Sequence, residues 1–373
     1  MTPPTDPYQA VTHADPYPYY AELRARGGLH RAPGFGPWIA ADAATVRAVL
    51  TSEHCRVRPR SEPVPAHLVG TAAGALFGRL VRMNDGGPYP AVKQTLARAL
   101  PEALREVEAE SRRQAARLFA TPSRIRLPDA ALQLPVFVLG SLLGFPEDTL
   151  EASVRDVDAY VRSVAGSPGD SESAARLNGR VAACFQSTAR TAFTARLMEG
   201  HGPEDLRIPN AVGLLTQAYE ATAGLLGATL RAFACVPGLH EQLSQGACTL
   251  DDVVQEAARH DSPVQNTRRF THAAATVAGQ ALEAGETLVV VLAAANRDPL
   301  ANPQPDAFLP RRAARQTFTF GLGSHACPGH LLATAMTTAA VERMLASGLD
   351  LSPLSGPVTW RASTNTRVLG GLE

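Results

Sequence analysis

The segment AVGLLTQAYEATAGLLGATLRAFA (residues 211–234) holds one acid, Glu220, and one base, Arg231. Wound as a helix, it shows apolar residues on every side, so no face is left for water. It is also too polar in places to span a bilayer. A chain carrying such a segment must wrap other elements around it, which predicts a helix buried through the middle of the protein. The 373 residues are enough for a large core. Alanine, leucine and arginine dominate the rest, so helices are expected to dominate as well.

The pattern divides the chain accordingly. Residues 16–50 read as a helix at DPYPYYAELRARG, a short strand pair around GPWIAA and a helix at DAATVRAVLTS. Residues 89–120 have the spacing of two successive helices, and 125–200 continue as helices between Pro and Gly breaks. After 260 the texture changes. TRRFTHAAATVAGQALEAGETLVVVLAAANRD alternates and carries Gly turns, as strands do. A Pro-rich irregular stretch follows, then a helix from about Gly329 to Ser347. The expected class is mainly α with a minor β region near the N-terminus and at 264–295, in a single domain over 1–373.

Lys+Arg and Asp+Glu both number 35. A nucleic-acid or anionic-membrane binder normally shows a basic excess, so neither is expected. No apolar run of membrane-spanning length is present, and MTPPTDPYQAVTHADPYPYY lacks a signal-peptide profile. Cys55, Cys184, Cys235, Cys248 and Cys327 are odd in number and scattered. That argues for a reducing, cytoplasmic location rather than a disulfide framework.

FTFGLGSHACPGHLLA (318–333) sets Cys327 between His325 and His330. Three readings are open. A structural zinc needs four ligands, usually with a second Cys/His pair nearby, and none is close in sequence. A buried structural cysteine before a helix is the plain alternative. The third reading is a thiolate ligand: Gly321, Gly323 and Gly329 allow tight turns and close approach to a flat group, and Pro328 suits the first turn of a helix. The helix N-terminus would stabilise the thiolate, and haem iron accepts such an axial sulfur.

Phe320-Gly321-x-Gly323-x-His325-x-Cys327-x-Gly329 resembles the haem-binding signature of the cytochrome P450 family in its soluble bacterial form. Three further blocks stand in the family's order: Glu256-Ala257-Ala258-Arg259, AAANRDP (293–299) and DPYPYYAELRARGGLHR. The resemblance implies a triangular helical prism with haem b between the long central helix and the cysteine-loop helix. It implies Cys327 as axial ligand. His325 and Arg269, with Tyr89 and Lys93 as weaker substitutes, would meet the haem propionates. Phe320, Gly321 and Gly329 would shape the haem loop. Glu256 and Arg259, i,i+3 on a helix expected from Thr249 to before Pro263, would form the family's buried ion pair. Ala307 stands where an arginine is common, so Arg312 is the expected third partner.

The central helix departs from the family pattern. Gln217-Ala218-Tyr219-Glu220-Ala221-Thr222 keeps the acid as Glu220, but the usual oxygen-activating threonine is Ala221. Thr222 lies one step, about 100°, around the helix and should point elsewhere. Glu220, Ala221 and Gln217 are therefore the expected catalytic surroundings. Gln217, Ala218, Ala221, Val264, Asn266 and Phe77 are the expected pocket lining, under a roof near 56–80 that holds Arg56, Arg58 and Arg60.

Three functions remain open. One is O2-dependent oxidation of a small aromatic or amino-acid-derived secondary-metabolite intermediate, with substrate- or water-assisted proton delivery. The second is haem-thiolate chemistry without O2 scission, on a substrate with its own weak N–O or O–O bond. The third is a non-catalytic haem-binding partner protein. The first would draw electrons from a ferredoxin and ferredoxin reductase, since no flavin or iron–sulfur motif is present. A monomer is expected.

Overall fold

The structure, a computed structural model, describes residues 2–120, 127–170 and 172–372. Residues 125–126, with which the helical reading of 125–200 begins, and residue 171 within it lie outside the described residues. Backbone contacts divide the chain into two compact units. One comprises Met1–Arg60, Ala223–Cys327 and Gly348–Glu373; the other comprises Ser61–Thr222 and Pro328–Ser347.

The first unit holds the sheets. Its strands are β1 (His30–Ala32), β2 (Phe35–Ala40), β3 (Cys55–Arg56), β4 (Thr267–Thr271), β5 (Ala275–Val277), β6 (Gln280–Leu282), β7 (Thr287–Val290), β8 (Val358–Trp360) and β9 (Leu369–Leu372). The main sheet has the order β1-β2-β7-β4-β3, with β5-β6 and β8-β9 as two-stranded ribbons. β7 lies parallel to β2, Ile39 opposite Val289, and antiparallel to β4, Arg269 opposite Leu288.

The sequence of β7 explains its central place. Leu288, Val289 and Val290 are each 0% exposed. Alternate strand residues point to opposite faces, so a strand apolar on both must be covered on both. Leu288 and Val290 pack with Val46, Val49 and Leu50 of the helix Ala43–Thr51. Val289 packs with Tyr20 and Leu23 of the helix Tyr17–Arg26 on the other face. Phe318, at the entrance to the cysteine loop, belongs to the first of these clusters.

The second unit carries helices and no strand among its described residues. Its longer helices are Tyr89–Glu102, Leu104–Leu118, Leu127–Leu143, Leu150–Val164, Ser173–Gln186 and His330–Ala346. His330–Ala346 packs on Leu104–Leu118, which packs on Leu127–Leu143, which packs on Leu150–Val164.

The helix Arg207–Cys235 contains the nearly uncharged segment 211–234. The unit boundary falls within it, between Thr222 and Ala223. From Thr222 to Leu230 every residue is buried. No helix among the described residues is long and apolar enough to cross a membrane. The expected class, mainly α with a minor β region, is the one observed.

Candidate active site

The cysteine loop closes on itself. The Cys327 N–H donates to the Phe320 carbonyl at 2.8 Å, and the Ala326 N–H to the Gly323 carbonyl at 3.1 Å. Gly321 and Gly323 have φ of +66° and +68°, the left-handed region that glycine adopts at least cost. A Cβ on Gly323 would also lie 2.9 Å from the Leu50 carbonyl oxygen. Phe320 packs on Leu225, Val254 and Ala258. The result is a loop anchored by a half-buried Phe320, with an exposed Cys327 side chain that is in no disulfide. The helix His330–Ala346 opens three residues later. Among the described residues no group of three or more His, Cys, Asp or Glu side chains is placed to hold a metal ion.

The two loop glycines give a graded test. Gly323→Ala combines left-handed strain with a backbone clash. Gly321→Ala meets nothing closer than 3.5 Å and carries only the strain. Melting curves should show Gly321→Ala costing about 1–2 kcal/mol and Gly323→Ala clearly more. Equal losses would contradict the close approach at Leu50.

Behind the loop, the helix Leu250–His260 starts on a capping box. The Thr249 N–H donates to Asp252 Oδ2 at 2.9 Å, and the Asp252 N–H to Thr249 Oγ1 at 3.1 Å. On its inner face Glu256 and Arg259 are both 0% exposed. Arg259 donates twice to the carboxylate, Nη2 to Oε1 at 2.6 Å and Nε to Oε2 at 3.1 Å. Arg312 Nε donates to Oε1 at 3.1 Å, Arg315 Nε to Oε2 at 3.0 Å, and the Leu309 N–H to Oε1 at 3.1 Å. One carboxylate thus faces three guanidiniums. Burial works to raise the Glu256 pKa, but the Arg259 bonds and charge, the Leu309 N–H and Arg312 outweigh it, and the carboxyl ends below its ordinary value. The spare guanidinium protons go to carbonyls: Arg259 Nη1 to Pro305 at 2.7 Å and Arg312 Nη2 to Ala307 at 2.7 Å.

The same unit places the other candidates. Arg269, on β4, is 5% exposed and donates from Nη1 to the Arg268 carbonyl at 2.9 Å. His325 is half-buried at the end of a short 3-10 turn. Val264 is half-buried and bridges to Thr366. Asn266 is 1% exposed and spends its amide on the Thr364 carbonyl, at 2.8 Å. Arg56 and Arg58 are half-buried and Arg60 is exposed.

In the second unit, the central helix carries an interrupted burial pattern. Leu215, Thr216, Tyr219 and Thr222 are buried, whereas Leu214, Gln217, Ala218 and Ala221 are half-buried. The latter stand at i, i+3, i+4 and i+7, one stripe of a helix that is otherwise sequestered there. Glu220 borders the stripe and is half-buried. Ala221 lies on the stripe, while Thr222 is 1% exposed and its hydroxyl meets no partner. Tyr219, 2% exposed, donates its hydroxyl to Asp158 at 3.1 Å. Phe77 is 8% exposed. Tyr89 begins its helix and donates its hydroxyl to the Gly78 carbonyl at 3.3 Å; Lys93, one turn on, is half-buried. Gly329 caps the helix that follows Cys327.

Comparison with known proteins decides what this arrangement belongs to. A family model described as Cytochrome P450 matches residues 238–348, the span holding Glu256, Arg259, Arg312 and Cys327. Cytochrome P450 monooxygenase PikC of Streptomyces venezuelae is 29% identical over 386 residues, covering 96% of this chain and 90% of its own. The chain belongs to the cytochrome P450 superfamily. A second relative, the 20-oxo-5-O-mycaminosyltylactone 23-monooxygenase of Streptomyces fradiae, is 31% identical over 166 residues, 44% of this chain and 40% of that one. Among solved structures, epothilone B-bound cytochrome P450epoK has a TM-score of 0.84 at 18% identity, covering 100% of this chain and 98% of that chain, a likeness of fold.

A P450-type enzyme carries haem on a cysteine thiolate, and the loop of this P450 has the right chemistry for it. The donor is sulfur, the thiol is exposed, and the flanking left-handed positions carry no side chain. Sequence reasoning missed two parts of this P450's support. Arg315 reaches Glu256 from an irregular segment, where arginine has no periodic signal. Thr319 donates to the Ala258 carbonyl at 2.5 Å and meets Ser262 Oγ at 2.7 Å, which ties the loop entrance to the Glu256 helix.

Proposed function

We propose that this P450 is a mono-oxygenase of a small secondary-metabolite intermediate, aromatic or amino-acid-derived, working with haem b on Cys327. When bound, the haem-thiolate group supplies insertion of one O2 oxygen into a C–H bond, while a pair of electrons and a pair of protons reduce the other oxygen to water. The electrons come from a separate ferredoxin and ferredoxin reductase. The Cys327 thiolate would hold the haem iron. Arg269 and His325, with Tyr89 and Lys93 as weaker substitutes, would serve as donors to the propionates, whose charges need partners when buried. Glu256, Arg259 and Arg312 hold the loop and touch no reacting atom.

The single observation that carries the reading is the half-buried stripe Leu214, Gln217, Ala218 and Ala221 on an otherwise sequestered helix. A stripe of this kind suits a substrate face. Gln217 gives it a donor and an acceptor, which favours a substrate with polar groups over a plain hydrocarbon. Ala221 offers only a methyl group, and the nearby Thr222 hydroxyl is turned into the protein. Proton delivery is a positioning task. Gln217 and Glu220 must therefore act through ordered water or through a hydroxyl of the substrate itself.

The same methyl group favours a second reading, group transfer from a substrate with its own weak N–O or O–O bond. Ala221→Thr separates the two. Under the mono-oxygenase reading the variant keeps or raises the product formed per NAD(P)H consumed, by up to several-fold. Full turnover of the wild-type enzyme under argon, without a redox chain, would reject O2 dependence and promote group transfer.

A further inference from the structure

The structure gives the asparagine of the block Asn296-Arg297-Asp298 a task. Residues 315–318, which lead into the cysteine loop, belong to no helix or strand. Two fully buried asparagines take the place of a neighbouring strand; Asn296 and Asn302 are both 0% exposed.

Asn302 engages both backbone groups of Gln316. The Gln316 N–H donates to Asn302 Oδ1 at 3.0 Å, and Asn302 Nδ2 donates to the Gln316 carbonyl at 2.9 Å. Two residues on, the Phe318 N–H donates to Asn296 Oδ1 at 2.6 Å, and Asn296 Nδ2 donates to Thr319 Oγ1 at 2.8 Å. Contacts at residues 316 and 318 repeat the period-two spacing of a strand ladder. The asparagines are joined to each other, because Asn302 Nδ2 also donates to the Asn296 carbonyl at 3.0 Å. That carbonyl accepts from Arg259 Nη1 at 3.1 Å as well. A continuous set of bonds therefore runs from Glu256 through Arg259 and Asn296 to Thr319, next to Phe320, whose carbonyl holds the Cys327 N–H. A slip at 316–319 would carry the thiol with it. Loss of either amide leaves buried backbone groups unpaired along this segment.

We propose that Asn296 and Asn302 are positioning residues for the Cys327 thiolate, setting the register in which residues 316–319 enter the loop. The inference rests on the haem-thiolate reading above. Its test uses the haem-loaded protein with carbon monoxide as the probe, and reads the thiolate-type band and its conversion to the thiol-type band over time. Asn296→Asp and Asn302→Asp keep size and the acceptor oxygen but lose the Nδ2 donor. Each should lose the thiolate band at least tenfold faster than wild type. Asn210→Ala is the control for ordinary destabilisation, since Asn210 ties Arg79 and Val81 in the other unit. It should melt lower yet keep the band at the wild-type rate, compared at equal distance below each Tm.

Band loss in the asparagine variants no faster than in Asn210→Ala would overturn the proposal. If the aspartate variants do not fold, Thr319→Val and Thr319→Ser decide. Valine removes the Asn296 acceptor and should lose the band, whereas serine restores it; identical behaviour of the two would also overturn the proposal. A wild-type protein without any thiolate band would instead sink the haem-thiolate reading, and this inference with it.

Discussion

Glu256→Ala is expected to cost about 3–5 kcal/mol, because it leaves buried guanidiniums without their carboxylate. Arg259 is 0% exposed and Arg312 9% exposed, so water cannot replace the lost partner. The loss should appear as a lower Tm and as failure to retain haem. Acid should reproduce part of it. The Glu256 carboxyl is depressed in the folded protein, so the unfolded chain takes up its proton first as pH falls. Its contribution is complete above the ordinary glutamate pKa of about 4.3 and disappears as pH drops through the lower folded value. Glu256→Gln should flatten the fall of Tm in that acid window relative to wild type. Identical slopes in the two proteins would show that Glu256 does not titrate differently on folding.

Cys327→Ala should have the opposite profile. The side chain is exposed, so its removal takes little from the core, and the apoprotein should melt within about 0.5 kcal/mol of wild type. The thiolate-type carbon monoxide band should vanish completely. A normal band in the variant would remove Cys327 as axial ligand. Together the two variants separate the residue that meets the cofactor from one that builds the loop behind it.

The features legible in the sequence are those with short-range causes. The loop glycines signal positive φ, and Thr249 signals a helix start. The apolar run at 211–234 signals burial, and the apolar run in β7 signals a strand covered on both faces. These fix the helical class, most element positions and the loop that holds Cys327. Bonds joining distant residues were beyond reach. Arg315 meets Glu256 across a Pro-rich stretch with no periodicity, and the amides of Asn296 and Asn302 resemble those of any turn asparagine. The Asn266 amide holds the Thr364 carbonyl, 98 residues away along the chain, a contact that only the folded chain specifies.

The order in which the chain visits its two units bears on how it can be made. The helix His330–Ala346 packs on Leu104–Leu118, yet the residues between them include most of the sheet-bearing unit. During synthesis the helical unit must wait, with a buried-type surface on Leu104–Leu118 uncovered, until that late helix has emerged. Non-local closure of this kind slows folding and lengthens the exposure of sticky intermediates. Slower translation upstream of residue 330 therefore prolongs the interval in which chaperones are needed, and low yield of soluble protein at high expression rates is the practical consequence.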